Sequence, residues 1–191
     1  MSTAKKSTIE ASEGEDFIAE FLDEKGYDFK QEYMLEGLKN DTKRNHRRAD
    51  FFLPRYGACI EFLGKWDDPK EREEYKTKMS VFFQNRVPCV YIWPDNLGTL
   101  DWTLRRRIRE SLLKFNKRWS LFIFEFDLFL RQVWIPAVLL VLVLFSVDGF
   151  WNRTAWVALF GVYMLYKVRG IVSRLVKLRN SKNVAPFIRK A

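Results

Sequence analysis

The chain has few of the residues from which most metal centres and nucleophilic sites are built. Its 191 residues include two cysteines and one histidine. Cys59 and Cys89 each lie inside a short apolar run, with no metal-ligand spacing around them. They are expected as small core residues of a reducing compartment. With His46 as the only histidine, a His-based triad or a multi-histidine metal centre has nothing to draw on. The N-terminal stretch MSTAKKSTIEASEGED lacks the apolar h-region of a signal peptide. There is no internal repeat and no low-complexity tract.

Charge is plentiful and biased. Lys and Arg number 33 against 24 Asp and Glu, a net charge of +9. That balance suits a phosphate-rich or anionic-lipid partner. Basic residues cluster at Lys43 to Arg48, at Arg105 to Arg109 and from Lys167 onward. Each cluster also reads as an ordinary solvated face. The charge is unevenly spread, because the chain has two dissimilar halves. Up to about Asn96 it is polar and punctuated, whereas Leu121 to Tyr166 is dominated by apolar and aromatic residues.

The first half reads as alternating helices and strands. A helix is expected from Ser12 to about Lys25, ended by Gly26, with Phe17, Ile18, Phe21 and Leu22 as its apolar stripe. Tyr27 to Leu35 reads as a strand, and Gly37 to Arg47 as a polar, basic loop. Asp67 to Asn85 is a second helix with Pro69 in its first turn. Its residues Tyr75, Met79, Phe82 and Phe83 recur with the spacing of a core-facing stripe. Cys89 to Trp93 is a short buried strand, and Leu100 to Trp119 a third helix. The order is α-β-β-β-α-β-α, an α/β domain with a mixed sheet flanked by helices.

The segment RADFFLPRYGACIEFLG, Arg48 to Gly64, carries the chemistry. Two apolar runs flank Pro54-Arg55-Tyr56-Gly57, which predicts a β-hairpin. A two-residue turn at Arg55 and Tyr56 sets Asp50 opposite Glu61. A carboxylate in a hydrophobic strand is costly unless something pairs with it. Two on adjacent strands suit Mg²⁺, which is held by one or two carboxylates plus waters and substrate phosphates.

The second half follows membrane rules. Val133 to Val147 is without charge, and Thr154 to Tyr166 is a shorter apolar run. A spanning helix needs about 20 mostly apolar residues. Basic residues flank both outer sides, so the positive-inside rule puts both ends in the cytoplasm and the link DGFWNR outside. Trp134, Trp151, Trp156, Tyr163 and Tyr166 fall near the expected interfaces. Leu121 to Leu130, with Glu125 and Asp127 among aromatics, is compatible with an interfacial position. A buried helical hairpin of a larger soluble core is the competing reading.

Residues 12 to 96 resemble the PD-(D/E)xK nuclease superfamily, the restriction-endonuclease-like fold. The motifs that carry the resemblance are Ser12 to Glu15, the basic loop, Arg48 to Pro54, Ile60 to Gly64, Lys78 on the next helix and the strand at Cys89. The resemblance implies Mg²⁺ (with Mn²⁺ as a substitute) held by Asp50 and Glu61. It implies Glu15, Asp50, Glu61 and Lys78 as the catalytic set, with Lys65 as the weaker alternative lysine. Arg44, Arg47 and Arg48 would touch the nucleic-acid backbone. Two positions depart from the pattern. Ala49 stands where a proline precedes the aspartate, and Leu63 stands where the signature lysine follows Glu61. Some members carry that lysine on the following helix, where Lys78 lies.

Each residue has a plainer reading. Glu15 completes a capping box with Ser12, Asp50 is a strand-start residue contacting Arg47 or Arg48, and Lys78 is a solvated helix-edge lysine. The expected organisation is a flexible tail over 1–11 and a nuclease-like domain over 12–118. A membrane hairpin follows over 119–170, with spans at about 133–151 and 152–168, and then a basic cytoplasmic tail over 171–191. The expected function is a membrane-tethered, Mg²⁺-dependent nuclease acting on DNA, foreign DNA included. Its partners would be DNA and the lipid bilayer, with homo-oligomers formed through the membrane helices. The alternative is an inactive nuclease-fold module that recruits nucleic acid or a protein to the membrane.

Overall fold

The computed structural model describes residues 13–39, 41, 46–146 and 150–180. The chain divides into two compact units, Met1–Phe115 and Asn116–Ala191.

The first unit is α/β. Its elements are α1 (Glu13–Glu24), β1 (Lys30–Glu36), β2 (His46–Leu53), β3 (Ala58–Phe62), α2 (Pro69–Gln84), β4 (Cys89–Ile92), a 3-10 segment (Pro94–Thr99) and α3 (Leu100–Lys114). The four strands form one mixed sheet in the order β1-β2-β3-β4. β1, β2 and β3 are antiparallel neighbours, whereas β3 and β4 pair in parallel. A parallel pair needs a crossover, and α2 supplies it.

Local chemistry explains the boundaries. Gly26 closes α1 with φ +62, and the Tyr27 amide donates back to Leu22 O at 2.8 Å. That capping use of Tyr27 delays β1 to Lys30. α2 begins on Asp68, whose side chain accepts from the Lys70 amide at 2.8 Å, with Pro69 in the first turn. The hairpin turn takes four residues, Pro54 to Gly57, rather than two. The Gly57 amide donates to Leu53 O at 2.9 Å, and Gly57 adopts φ +62. The strand register is unaffected, with Phe51 opposite Ile60 and Leu53 opposite Ala58.

The core includes Ile18, Leu22, Phe51, Leu53, Ile60, Ile92, Leu104 and Ile108. Phe82 of α2 packs with Ala49, Cys59 and Cys89. Both cysteines are buried and free. Two expected core residues are exposed instead, Phe17 and Phe83, because each lies at the margin of its helix stripe. The third helix stops at Lys114, five residues short of Trp119, where Asn116 turns into the left-handed region at φ +56.

The second unit consists of α4 (Arg118–Ser146) and α5 (Phe150–Asn180). α4 is continuous through Pro136, so Leu121 to Leu130 and the apolar run share one helix. Both helices contain stretches long and apolar enough to cross a membrane, Arg118–Ser146 and Thr154–Ser173. Large apolar side chains are exposed along them, among them Trp134, Leu139, Leu142, Phe145, Leu159, Val162 and Leu165. Exposed apolar surface of this extent is the kind that marks contact with a membrane or a protein partner. Residues 1–12 and 181–191, hence the expected tail and the end of the basic segment, lie outside the described residues.

Candidate active site

Three elements deliver charged groups to one place. Asp50 comes from β2, Glu61 from β3 and Lys78 from α2. The register of Phe51 with Ile60 makes Asp50 and Glu61 the next opposed position. There the Phe62 amide donates to Asp50 Oδ2 at 2.7 Å, which fixes the aspartate across the strand pair.

Glu61 is only 2% exposed. Lys78 Nζ donates to its Oε1. The second oxygen, Oε2, is buried and has no hydrogen-bond partner. An unsatisfied buried carboxylate oxygen is expensive, and its own proton, a water or a cation would each relieve that cost.

The electrostatics agree with the geometry. Burial is the main force pushing the Asp50 carboxyl up to about 6. The Lys78 charge and the Phe62 amide oppose that rise, nearby Glu15 adds to it, and Arg48 opposes it. Burial followed by the Asp50 charge pushes Glu61 up to about 8, against the pull of Lys78. Burial thus outweighs Lys78, Arg48, the Phe62 amide on Asp50 and the Asp50 backbone bond to Glu61, which together compensate two desolvated carboxylates only in part.

Glu15 reaches this neighbourhood because Gly14 lets α1 approach the sheet. A Cβ on Gly14 would lie 2.2 Å from the Phe62 ring. Glu15 is half-buried, whereas Glu13, Asp16 and Glu20 are exposed. Ser12 lies outside the described residues, and the capping box with it.

The remaining expected residues separate. Lys65 is exposed in the turn after β3. Arg44 lies outside the described residues. Arg47 is corrected from a phosphate contact to a core residue. It is 6% exposed and holds Asp41 through two bonds of 2.5 and 3.0 Å. Arg48 is exposed and pairs with Glu32 at 3.2 Å. Leu63, in the place of the signature lysine, is fully buried.

One side chain near the acids carried no site role in the sequence reading. Tyr75 lies three residues before Lys78 on α2, stacks on Trp66 with centroids 6.2 Å apart and feels the charges of Asp50 and Glu61. Its helical spacing to Lys78 was the available signal, hidden because an aromatic in a helix stripe reads as core.

Among the described residues, no group of three or more His, Cys, Asp or Glu side chains is arranged to hold a metal ion. The donors that do meet are two carboxylates, which suits a cation that keeps most of its waters. No protein-family model, curated protein or solved structure matches the chain.

Proposed function

We propose that the first unit is a metal-dependent nuclease of the PD-(D/E)xK kind, hydrolysing phosphodiester bonds of DNA. The observation that carries this reading is the meeting of Asp50, Glu61 and Lys78 from three separate elements, with Glu61 Oε2 left unsatisfied. The α-β-β-β-α-β order around a mixed sheet supports a restriction-endonuclease-like fold.

Asp50 and Glu61 would hold Mg²⁺, with Mn²⁺ as a substitute, through the oxygens not engaged by the Phe62 amide and Lys78. Mg²⁺ at such a site supplies Lewis acidity and a more acidic coordinated water. Lys78, anchored on Glu61, places a positive charge where charge accumulates on the phosphoryl oxygens. Glu15 adds a negative charge at the edge of the site, suited to orienting a water. Arg48 is the exposed cation beside Asp50 and would hold a neighbouring phosphate.

The two apolar helices would tether this domain to the cytoplasmic face of the cell membrane in a multi-pass arrangement, with both termini inside. A tether confines the nuclease to a thin layer and raises its effective concentration for DNA arriving there, including foreign DNA. Pairing of membrane helices between copies would add a second tether.

A second reading has one observation in its favour. Leu63 is buried where the signature lysine would stand, so an inactive module that recruits nucleic acid or protein to the membrane remains the competitor. The deciding experiment is cleavage of plasmid and linear DNA by the full chain in detergent, with Mg²⁺ or EDTA. Wild type should cut only with the cation. Glu61→Ala should abolish cutting, and Lys78→Met should slow it by about a hundredfold or more. DNA binding without any cation-dependent cutting would select the recruiting module.

A further inference from the structure

The strand that flanks β2 on the side away from Glu61 contains one residue that backbone sterics disfavour. Glu32, in the middle of β1, adopts φ +49. The other described non-glycine residues with positive φ are Arg86 and Asn116, both just beyond helix ends. A left-handed conformation in a strand costs a non-glycine residue on the order of 1 kcal/mol or more. Glycine would remove that cost, yet the position holds a glutamate.

The irregularity falls at a telling position. β1 pairs with β2 through Gln31 opposite Phe51 and Tyr33 opposite Ala49. Glu32 is the residue between them, level with Asp50, and no pairing is made there. Its carboxylate instead meets the Arg48 guanidinium at 3.2 Å. Arg48 lies two residues from Asp50 on β2 and is close enough to stabilise its charged form. Its side chain is 45% exposed and that of Glu32 37%, so solvent and ligands reach the pair.

We infer that Glu32 is an internal stand-in for a nucleic-acid phosphate: it parks Arg48 beside the acid pair in the free protein and yields it to a backbone phosphate on binding. This inference rests on the nucleic-acid reading above and adds a positioning residue to it. A carboxylate and a phosphodiester both offer the two oxygens that a guanidinium fork engages. The exchange is cheap, because an exposed ion pair contributes about 0–1 kcal/mol. Glu32 also adds a negative charge that a polyanion must approach. The pair therefore lowers affinity for every phosphodiester chain while holding Arg48 in place two residues from Asp50.

The test is equilibrium binding of a fluorescent DNA oligonucleotide to the full chain in detergent, with EDTA present so that nothing is cut, over a series of salt concentrations. Glu32→Gln should tighten binding by about threefold to fivefold, the size of one exposed pair. Arg48→Ala should weaken it and reduce the salt slope by about one counterion. In the Arg48→Ala background, Glu32→Gln should tighten binding by clearly less than in the wild-type background, because only the general repulsion of a polyanion by the glutamate is left to remove. Glu32→Asp, which keeps the charge, should bind like wild type. Glu32→Gly should stabilise the fold and tighten binding together. The inference is overturned if Glu32→Gln leaves affinity unchanged, or tightens it equally in the Arg48→Ala background. Absence of DNA binding by wild type would instead remove the nucleic-acid reading on which it rests.

Discussion

The burial of Glu61 makes the stability of the sheet depend on pH with a definite sign. Its carboxyl goes from an ordinary 4.5 to about 8 in the folded chain. Between those values the folded chain keeps a proton that the unfolded chain has released. The stabilisation is complete below about pH 4.5 and is lost as pH rises through 8. Asp50 behaves likewise over a lower window, from 3.8 to about 6. Between pH 6 and 8 the slope therefore belongs to Glu61. At about 1.4 kcal/mol per pH unit, the fall across that window is about 3 kcal/mol, or a hundredfold in the opening equilibrium. Hydrogen exchange on peptides covering β3 and β4, corrected for intrinsic rates at each pH, measures that opening in the full chain. Wild type should lose about two decades of protection between pH 6 and 8, and Glu61→Gln should be flat there. Mg²⁺ should flatten the wild-type curve at the upper end, since a cation bound to the folded site opposes the loss. A wild-type curve flat without metal, or one that Glu61→Gln leaves equally steep, would refute the account of a carboxylate short of positive charge.

Three further outcomes follow from the packing. Gly14→Ala should destabilise the first unit by about 1–3 kcal/mol through overpacking, and a smaller residue at Phe62 should recover part of it in a double-mutant cycle measured by chemical denaturation. Arg47→Ala should cost about 1–3 kcal/mol, because it removes the two charge-assisted bonds that hold the buried Asp41 carboxylate, whereas Arg48→Ala should stay within about 0.5 kcal/mol; denaturation midpoints of the two variants compare them directly. Burial and the nearby Glu61 charge push the Cys59 thiol up to about 12, so it should resist a thiol reagent at neutral pH and react at the rate of unfolding.

What the sequence made legible was set by short-range rules. The hairpin register was readable because Pro54 and Gly57 punctuate two apolar runs, and it put Asp50 level with Glu61 despite the wrong turn length. Lys78 was readable from the helical period of Tyr75, Met79 and Phe82, one turn apart on α2. Arg47 was not. Its neighbours His46 and Arg48 are exposed, and only the fold brings Asp41 against it. The break at Asn116 was equally hidden, since neither glycine nor proline marks it. Phe17 and Phe83 show the same limit from the other side: a periodic stripe gives the direction of burial but not its width. The unsatisfied Oε2 of Glu61 is a property of the assembled interior, and no local pattern announces it.

The crossover built by α2 also ties the acid pair to the edge of the sheet. Lys78 lies midway along the segment that links β3 to its parallel neighbour β4, so the ammonium that partners Glu61 is supplied by the connection itself and by neither strand it joins. A change in the length or docking of that connection would therefore move the counter-ion of Glu61 while leaving the hairpin register of Asp50 and Glu61 in place.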